Sequence, residues 1–249
     1  MTIQIPSAAP FPAAPPRFAQ SARWKPGSSD ASFHGEVFAD ARDGSGAALA
    51  LALALDRMRS SPPDPAADSP DQRRWLWVQD NVSQRLSGRP YRPGLPASLR
   101  DRLLHVAAKT PEDALFALEE GLRCRELAFV IGELAGNPRA LNFTASRRLS
   151  LAAERHGTPL WLVRLDARRD LGSARMRWEA RSAPSLQPRY NPVAPGLPSW
   201  RAELFRARAH PPGEWILRDD GKALFAERAT APDHGDLAGP IGDRSLAAG

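Results

Sequence analysis

The 249-residue sequence predicts an α/β fold in which a mostly parallel sheet is flanked by helices and followed by a small antiparallel, β-rich C-terminal extension. Three observations predict it. Apolar runs of strand length alternate with amphipathic helical segments, glycine and proline separate these segments, and the last third holds strand-like segments without helices between them. A hydrophobic fraction of 42% and a charged fraction of 25% are those of a globular protein with a buried core.

Five apolar runs are predicted to form the parallel part of the sheet. They are apolar almost throughout, as expected of central strands that are covered on both faces. A crossover segment long enough for a helix separates most of them, as in repeated βαβ units. The runs are residues 35–39, 74–79, 103–107, 127–131 and 160–164.

Two of the predicted helices have recognisable ends. Thr110 can cap a helix that begins at Pro111, because its side chain can accept a hydrogen bond from the first turn and proline is favoured at the first helical position. A later helix is predicted to start near Asn142 or Thr144. It should stop at Gly157, since glycine readily adopts the left-handed conformation that ends many helices.

The C-terminal third predicts strands at residues 174–180, 200–208 and 214–226, with a hairpin turn at Asp220-Gly221. The predicted organisation follows from these segments and from the clustering of 25 prolines. It comprises a flexible Pro/Ala-rich arm at 1–22, a core at 23–182 with a surface insertion at 60–70, a β-rich extension at 183–230 that begins with a connector, and a disordered tail at 231–249.

The segment after the first strand has the architecture of a phosphate-binding loop, with a glycine-bearing turn between a strand and a helix. A working loop needs a lysine for the terminal phosphates and a hydroxyl for magnesium. Those places, after Gly44, Ser45 and Gly46, hold Ala47 and Ala48. Losing the lysine removes a charge-assisted bond of roughly 1.5–3 kcal/mol. We therefore expect no ATP hydrolysis and no dedicated nucleotide-binding or catalytic residue, while weak nucleotide binding stays open.

Composition excludes several other classes of function. Cys124 is the single cysteine and the five histidines are scattered, so we expect neither a disulfide, a metal site nor another cofactor. The longest apolar run, residues 47–55, is too short to span a bilayer, and we expect no secretion signal because prolines interrupt the first residues. We expect a cytoplasmic protein without membrane contact. The net charge of +6 is compatible with a nucleic-acid partner.

Three stretches resemble bacterial RecA, namely residues 35–55, 73–80 and 103–136. Within that superfamily the sequence resembles the ImuA family, the RecA-like accessory proteins of bacterial SOS mutagenesis cassettes. The likeness lies in residues 114–123, 145–149, 157–159 and 198–204. Glu133 stands at the position of the Walker B acid of RecA, or Gly132 does if the register differs by one residue.

The resemblance implies a non-catalytic role in damage-induced translesion DNA synthesis. It implies binding to ImuB, a polymerase-like partner, and indirect association with an error-prone DnaE-type polymerase. RecA and DNA are further candidate partners. Two alternatives remain open: a SulA-like inhibitor of cell division, because the families are related, and a RecA-like, DNA-stimulated ATPase with an unorthodox loop.

Two groups of residues are candidates for macromolecular contact. Four arginines in a strongly basic stretch can contact DNA phosphates, although solvated helix and loop faces explain them equally well. Three tryptophans lie among arginines in the β-rich part, where packing of their own sheet is the better explanation and partner contact the alternative. The arginines are Arg147, Arg148, Arg168 and Arg169, and the tryptophans are Trp178, Trp200 and Trp215.

Overall fold

The computed structural model describes residues 33–60, 71–188, 190–191, 193–208 and 210–229. The arm predicted at 1–22, nearly all of the insertion predicted at 60–70 and the tail predicted at 231–249 lie outside these residues. No helix in the described part of the chain is long and apolar enough to cross a membrane.

Nine strands and five α-helices make up the described chain. The strands are β1 His34–Ala39, β2 Arg74–Gln79, β3 Leu103–Ala107, β4 Leu127–Ala135, β5 Leu160–Leu165, β6 Met176–Ser182, β7 Ser199–Ala207, β8 Gly213–Asp219 and β9 Leu224–Arg228. The helices are α1 Ser45–Ser60, α2 Asn81–Ser87, α3 Ala97–Arg100, α4 Pro111–Arg123 and α5 Phe143–His156, and a short 3₁₀ turn covers Arg92–Gly94.

All nine strands belong to one sheet, in the order β3-β2-β4-β5-β1-β6-β7-β8-β9. Strands β1 to β6 are parallel and β7 to β9 are antiparallel. Apolar side chains of α1 pack on one face, with Trp75, Phe129 and Trp178, and α4 and α5 cover the other face. The mostly parallel sheet, its flanking helices and its antiparallel end confirm the predicted fold class.

The helix ends agree with the sequence signals. The Thr110 side chain accepts a hydrogen bond from the N–H of Asp113, as predicted for the start of α4. Of the two starts left open for α5, the structure selects Asn142, whose side chain accepts from the N–H of Ala145. Gly157 ends α5 with φ at +69°, the left-handed conformation that favours glycine.

The three antiparallel strands extend the core sheet directly, because β7 pairs along the whole of β6. Helix α1 is tied to them as well, since the buried Asp56 carboxylate accepts a hydrogen bond from the N–H of Leu224 at 3.1 Å. The predicted hairpin turn is one residue out of place. Asp220 and Ala223 close the turn by a backbone hydrogen bond, and Gly221 and Lys222 occupy its centre.

A buried ionic cluster lies on the α5 face of strands β1, β5 and β6. Arg177 donates from Nε to the Glu36 carboxylate at 2.6 Å, and both side chains are nearly inaccessible to water. Arg164, also buried, lies 3.9 Å from Glu36 and 3.4 Å from Asp170. A charged residue in the middle of the central strand β1 is therefore neutralised by arginines from its two neighbouring strands.

His34, next to this cluster, should make the stability depend on pH. Burial, with the charges of Arg177 and Arg164, lowers its pKa from 6.5 to about 3. Below pH 6.5 the unfolded chain takes up a proton that the folded chain does not. The free energy of unfolding should thus decrease as the pH is lowered, by roughly 2 kcal/mol between neutrality and pH 5.

Denaturant unfolding at several pH values measures this effect, with a His34→Gln variant as the control. The variant should show a flatter pH profile in that window, because its side chain does not titrate. Parallel profiles for the two proteins would contradict the assignment of this pH dependence to His34.

Candidate functional site

The loop between β1 and α1 lies at the carboxyl ends of the parallel strands, where α/β proteins commonly bind ligands. Helix α1 starts directly at Ser45. A Cβ atom on Gly46 would come within 2.7 Å of the Ala39 Cβ and 3.1 Å of a Val163 methyl group. Glycine at this position therefore permits close packing of the helix on the sheet.

Three backbone N–H groups of this loop, those of Ala41, Arg42 and Ser45, are bound by carboxylates of the chain. Asp166 accepts from Ala41 at 2.9 Å, and Asp40 accepts from Arg42 at 2.8 Å. Asp43 accepts from Ser45, the first residue of α1, at 3.0 Å. In a phosphate-binding loop such N–H groups point at the bound anion. At these three N–H groups a carboxylate oxygen of the chain occupies the place of that anion.

Asp43 also ties the loop to the end of β6. Its carboxylate accepts from the backbone N–H of Ser182 at 2.7 Å and from the Ser182 hydroxyl. Burial alone would raise the pKa of Asp43, but the hydrogen bonds from Ser182 and Ser45 outweigh it and hold the pKa below its usual value. The negative charge is thus retained beside the positive end of the α1 dipole.

A cleft of about 550 Å³ opens beside this loop. Its charged walls are mixed in sign, and two of its three arginines are already engaged. Arg169 forms ion pairs with Glu179 and Glu203, and Arg181 pairs with Glu179. At the places of the missing lysine and hydroxyl, Ala47 packs against the core and Ala48 is exposed. Arg42, the third arginine of the cleft, is exposed, but no lysine or hydroxyl stands at the phosphate-binding positions.

Glu133, in the Walker B place, is buried near the carboxyl end of β4. It accepts hydrogen bonds from Trp77 Nε1 at 3.2 Å, from Gln79 Nε2 at 3.1 Å and from the Ser87 hydroxyl. Burial raises the pKa of Glu133, and these three hydrogen bonds only partly oppose the effect. The carboxylate is used to join β2, β4 and the end of α2.

The alternative register for the Walker B acid, Gly132, lies on the opposite face of β4. A Cβ atom there would come within 2.9 Å of side-chain carbons of Leu118 and Leu162. A carboxylate side chain has no room at that position. Of the two candidate positions for the Walker B acid, only that of Glu133 has room for an acidic side chain.

The four candidate DNA-contact arginines fall into two groups. Arg148 pairs with Glu119 across the two helices α4 and α5, and Arg169 is engaged as described above. Arg147 on α5 and Arg168 in the β5–β6 connection are exposed and form no ion pair with a described carboxylate. Asn137 holds the backbone of Arg168 through its side-chain amide. Direct DNA contact through any of the four stays a prediction.

The three candidate tryptophans lie in the core on the α1 face of the sheet. Trp178 is 0% exposed, Trp200 6% and Trp215 9%. Trp178 and Trp215 meet edge to face, with ring centroids 6.2 Å apart. These positions agree with the packing interpretation and leave almost no surface for the alternative of partner contact.

Comparison with known proteins finds two similar chains, both named Protein ImuA, from Caulobacter vibrioides strains NA1000/CB15N and ATCC 19089/CIP 103742/CB 15. Each is 35% identical over an alignment of 137 positions, which covers 50% of this chain and 52% of the relative. The chain therefore matches about half the length of these ImuA relatives, and no family model matches it.

Sequence reasoning missed two features of this protein. One is the cluster of Glu36 with Arg164 and Arg177, for which the signal was a charged residue inside a run otherwise typical of a buried strand. The other is the loop between β1 and α1, in which carboxylates bind backbone N–H groups. Three aspartates within or facing it, Asp40, Asp43 and Asp166, were visible in the sequence, but only folding brings Asp166 beside Ala41.

Proposed function

We propose that this protein is a non-catalytic, RecA-like accessory factor of damage-induced translesion DNA synthesis that acts in the cytoplasm. Its partner would be an ImuB-type, polymerase-like protein, with an error-prone DnaE-type polymerase joining indirectly and with RecA or DNA as further contacts. The family likeness supports the biological setting. The observation that carries the non-catalytic part is the loop itself.

Two physical reasons argue against nucleotide chemistry at that loop. Three of its N–H groups are bound by Asp40, Asp43 and Asp166, so a phosphate that used them would have to displace like-charged carboxylates. The side chains of Ala47 and Ala48 supply neither a cation nor a magnesium ligand. A protein of this kind contributes through the partners that it binds.

The proposal predicts the phenotype of a deletion strain. Loss of the gene should lower the damage-induced mutation frequency, and the wild-type gene should restore it. A Glu133→Gln variant should restore it equally, because this nearly isosteric change removes the acid that an ATPase would need but preserves the size of the side chain. Mutation frequency after ultraviolet irradiation, at matched protein levels, measures the effect.

Two outcomes would favour the other candidate functions. DNA-stimulated ATP hydrolysis by the purified protein, abolished by Glu133→Gln, would establish the ATPase. Filamentous cells on overexpression, together with normal damage-induced mutagenesis in the deletion strain, would establish a SulA-like cell-division inhibitor.

Partner binding is best mapped with point substitutions. Removing residues 183–249 would strip β7 to β9 from the sheet and expose the apolar side chains of Trp178 and Ala180. Loss of binding by such a truncated protein would therefore report unfolding as readily as a lost contact.

A further inference from the structure

Strand β3 forms one edge of the sheet, and among the described residues it pairs with β2 alone. The carbonyl of Arg102 and the N–H of Ala108 bond to β2. Since backbone groups alternate in direction along a parallel strand, those of Leu103, His105 and Ala107 point away from the sheet. Such an edge is a template for a further strand.

The two faces of this edge differ in chemistry. On the α1 face His105 hydrogen-bonds to Gln79, and burial together with the charges of Arg89 and Arg92 lowers its pKa. The nearby Arg92 also donates to the outward carbonyl of Leu103 at 3.3 Å. On the other face Leu104 is 39% and Val106 36% exposed. One side of the edge is cationic and the other is apolar.

Positive charge is concentrated around β3, where the sequence supplies few acids. Residues 81–110 contain six basic side chains and a single acid, Asp101. None of the six forms an ion pair with a carboxylate in the described part of the chain, and the exposed Tyr91 lies among them. In the stretch 139–181, by contrast, most arginines are paired with acids. The six are Arg85, Arg89, Arg92, Arg100, Arg102 and Lys109.

We propose that β3 is a docking site for an extended segment of a partner protein in which acidic and apolar residues alternate. Successive side chains of an added strand point to opposite faces of the sheet. Acids at every second position would therefore face Arg89, Arg92 and His105, and the apolar residues between them would cover Leu104 and Val106. The outward backbone groups would supply main-chain hydrogen bonds.

Segments of this chain outside the described residues do not have that pattern. Residues 1–32 carry three basic side chains and one acid, and residues 61–70 contain four prolines, which cannot donate to a ladder. In residues 230–249 the three acids do not alternate with apolar residues. A second copy of a chain with a net charge of +6 is also disfavoured at a basic edge.

The outward backbone groups favour a polypeptide over a nucleic acid, because a nucleic acid would use the arginines and Tyr91 but not the strand edge. Beyond the proposed function, the β3 edge would bind such a segment whichever pathway the partner belongs to.

Fluorescence anisotropy with the full chain and a labelled synthetic peptide of alternating glutamate and valine tests this inference. We expect saturable binding that weakens about tenfold or more with Val106→Lys and with Arg89→Glu. The matched control variants are Leu151→Lys and Arg147→Glu, which place the same changes at exposed positions of α5 and should bind normally. Circular dichroism confirms that each variant is folded.

Control peptides separate strand addition from simple charge attraction. A peptide of the same composition with its glutamates and valines in two blocks should bind at least about tenfold more weakly, as should one with proline at its centre. Equal binding of all three peptides, or of the β3 variants and the controls, would overturn the proposal. Binding of a single-stranded oligothymidylate that is weakened by Arg89→Glu but not by Val106→Lys would also overturn it. Self-association abolished by Val106→Lys would assign the edge to a second copy instead.

Discussion

Replacing Arg177 by methionine is expected to lower the free energy of unfolding by about 3–5 kcal/mol, the cost of removing one partner of a buried ion pair. Arg177 Nε lies 2.6 Å from the Glu36 carboxylate, and the two side chains are 4% and 1% exposed. Methionine fills much of the volume but leaves the carboxylate without its closest cation. Denaturant unfolding at neutral pH measures the loss.

A double variant, Arg177→Met with Glu36→Gln, is the control for this prediction. It removes the uncompensated charge and should recover a large part of the lost stability, because replacing both partners of a buried pair is often nearly neutral. If the single variant lost less than about 1 kcal/mol, Arg164 at 3.9 Å would be sufficient to neutralise Glu36, and the central role of Arg177 would be wrong.

Replacing Trp178 by alanine is expected to cost about 3–5 kcal/mol, the range for removing a large aromatic side chain from a core. Trp178 is fully buried between the sheet and α1 and packs against Trp215. The reason is the loss of apolar contacts together with the cavity that remains. Thermal and denaturant unfolding both report it.

Tyr91→Ala is the matched control, because this aromatic side chain is 75% exposed and its removal should change stability by no more than about 0.5 kcal/mol. The partner-contact interpretation of Trp178 would be restored by a different result for Trp178→Ala. That variant would then unfold like the wild-type protein but no longer bind a partner that the wild-type protein binds.

The parallel half of the fold was predictable because its signals are local. Strands β2 and β3 have the predicted bounds, and the caps at Thr110 and Gly157 act through residues a few positions away. Strand β4 runs on to Ala135, beyond the predicted end at residue 131. Its neighbours β2 and β5 continue the hydrogen-bonded ladder through Glu133. The low strand propensity of glutamate gives no sign of this extension.

The candidate site was predictable only in part. The absence of a lysine and a hydroxyl at Ala47 and Ala48 can be read directly from the sequence, and this absence predicts lost hydrolysis. That Asp166 binds the N–H of Ala41 depends on the parallel pairing of β1 with β5, across 125 residues of chain. The engagement of Arg169 by Glu179 and Glu203 likewise depends on strand register.

By itself, the sequence determined the α/β class, the order of its elements, the missing phosphate-binding groups and the resemblance to the ImuA family, since hydrophobic period, turn chemistry and residue identity are local properties. The tertiary structure alone decided which charges are neutralised. It paired most arginines of 139–181 with acids and left those around β3 without them, because ion pairs form between side chains that folding brings within a few ångströms.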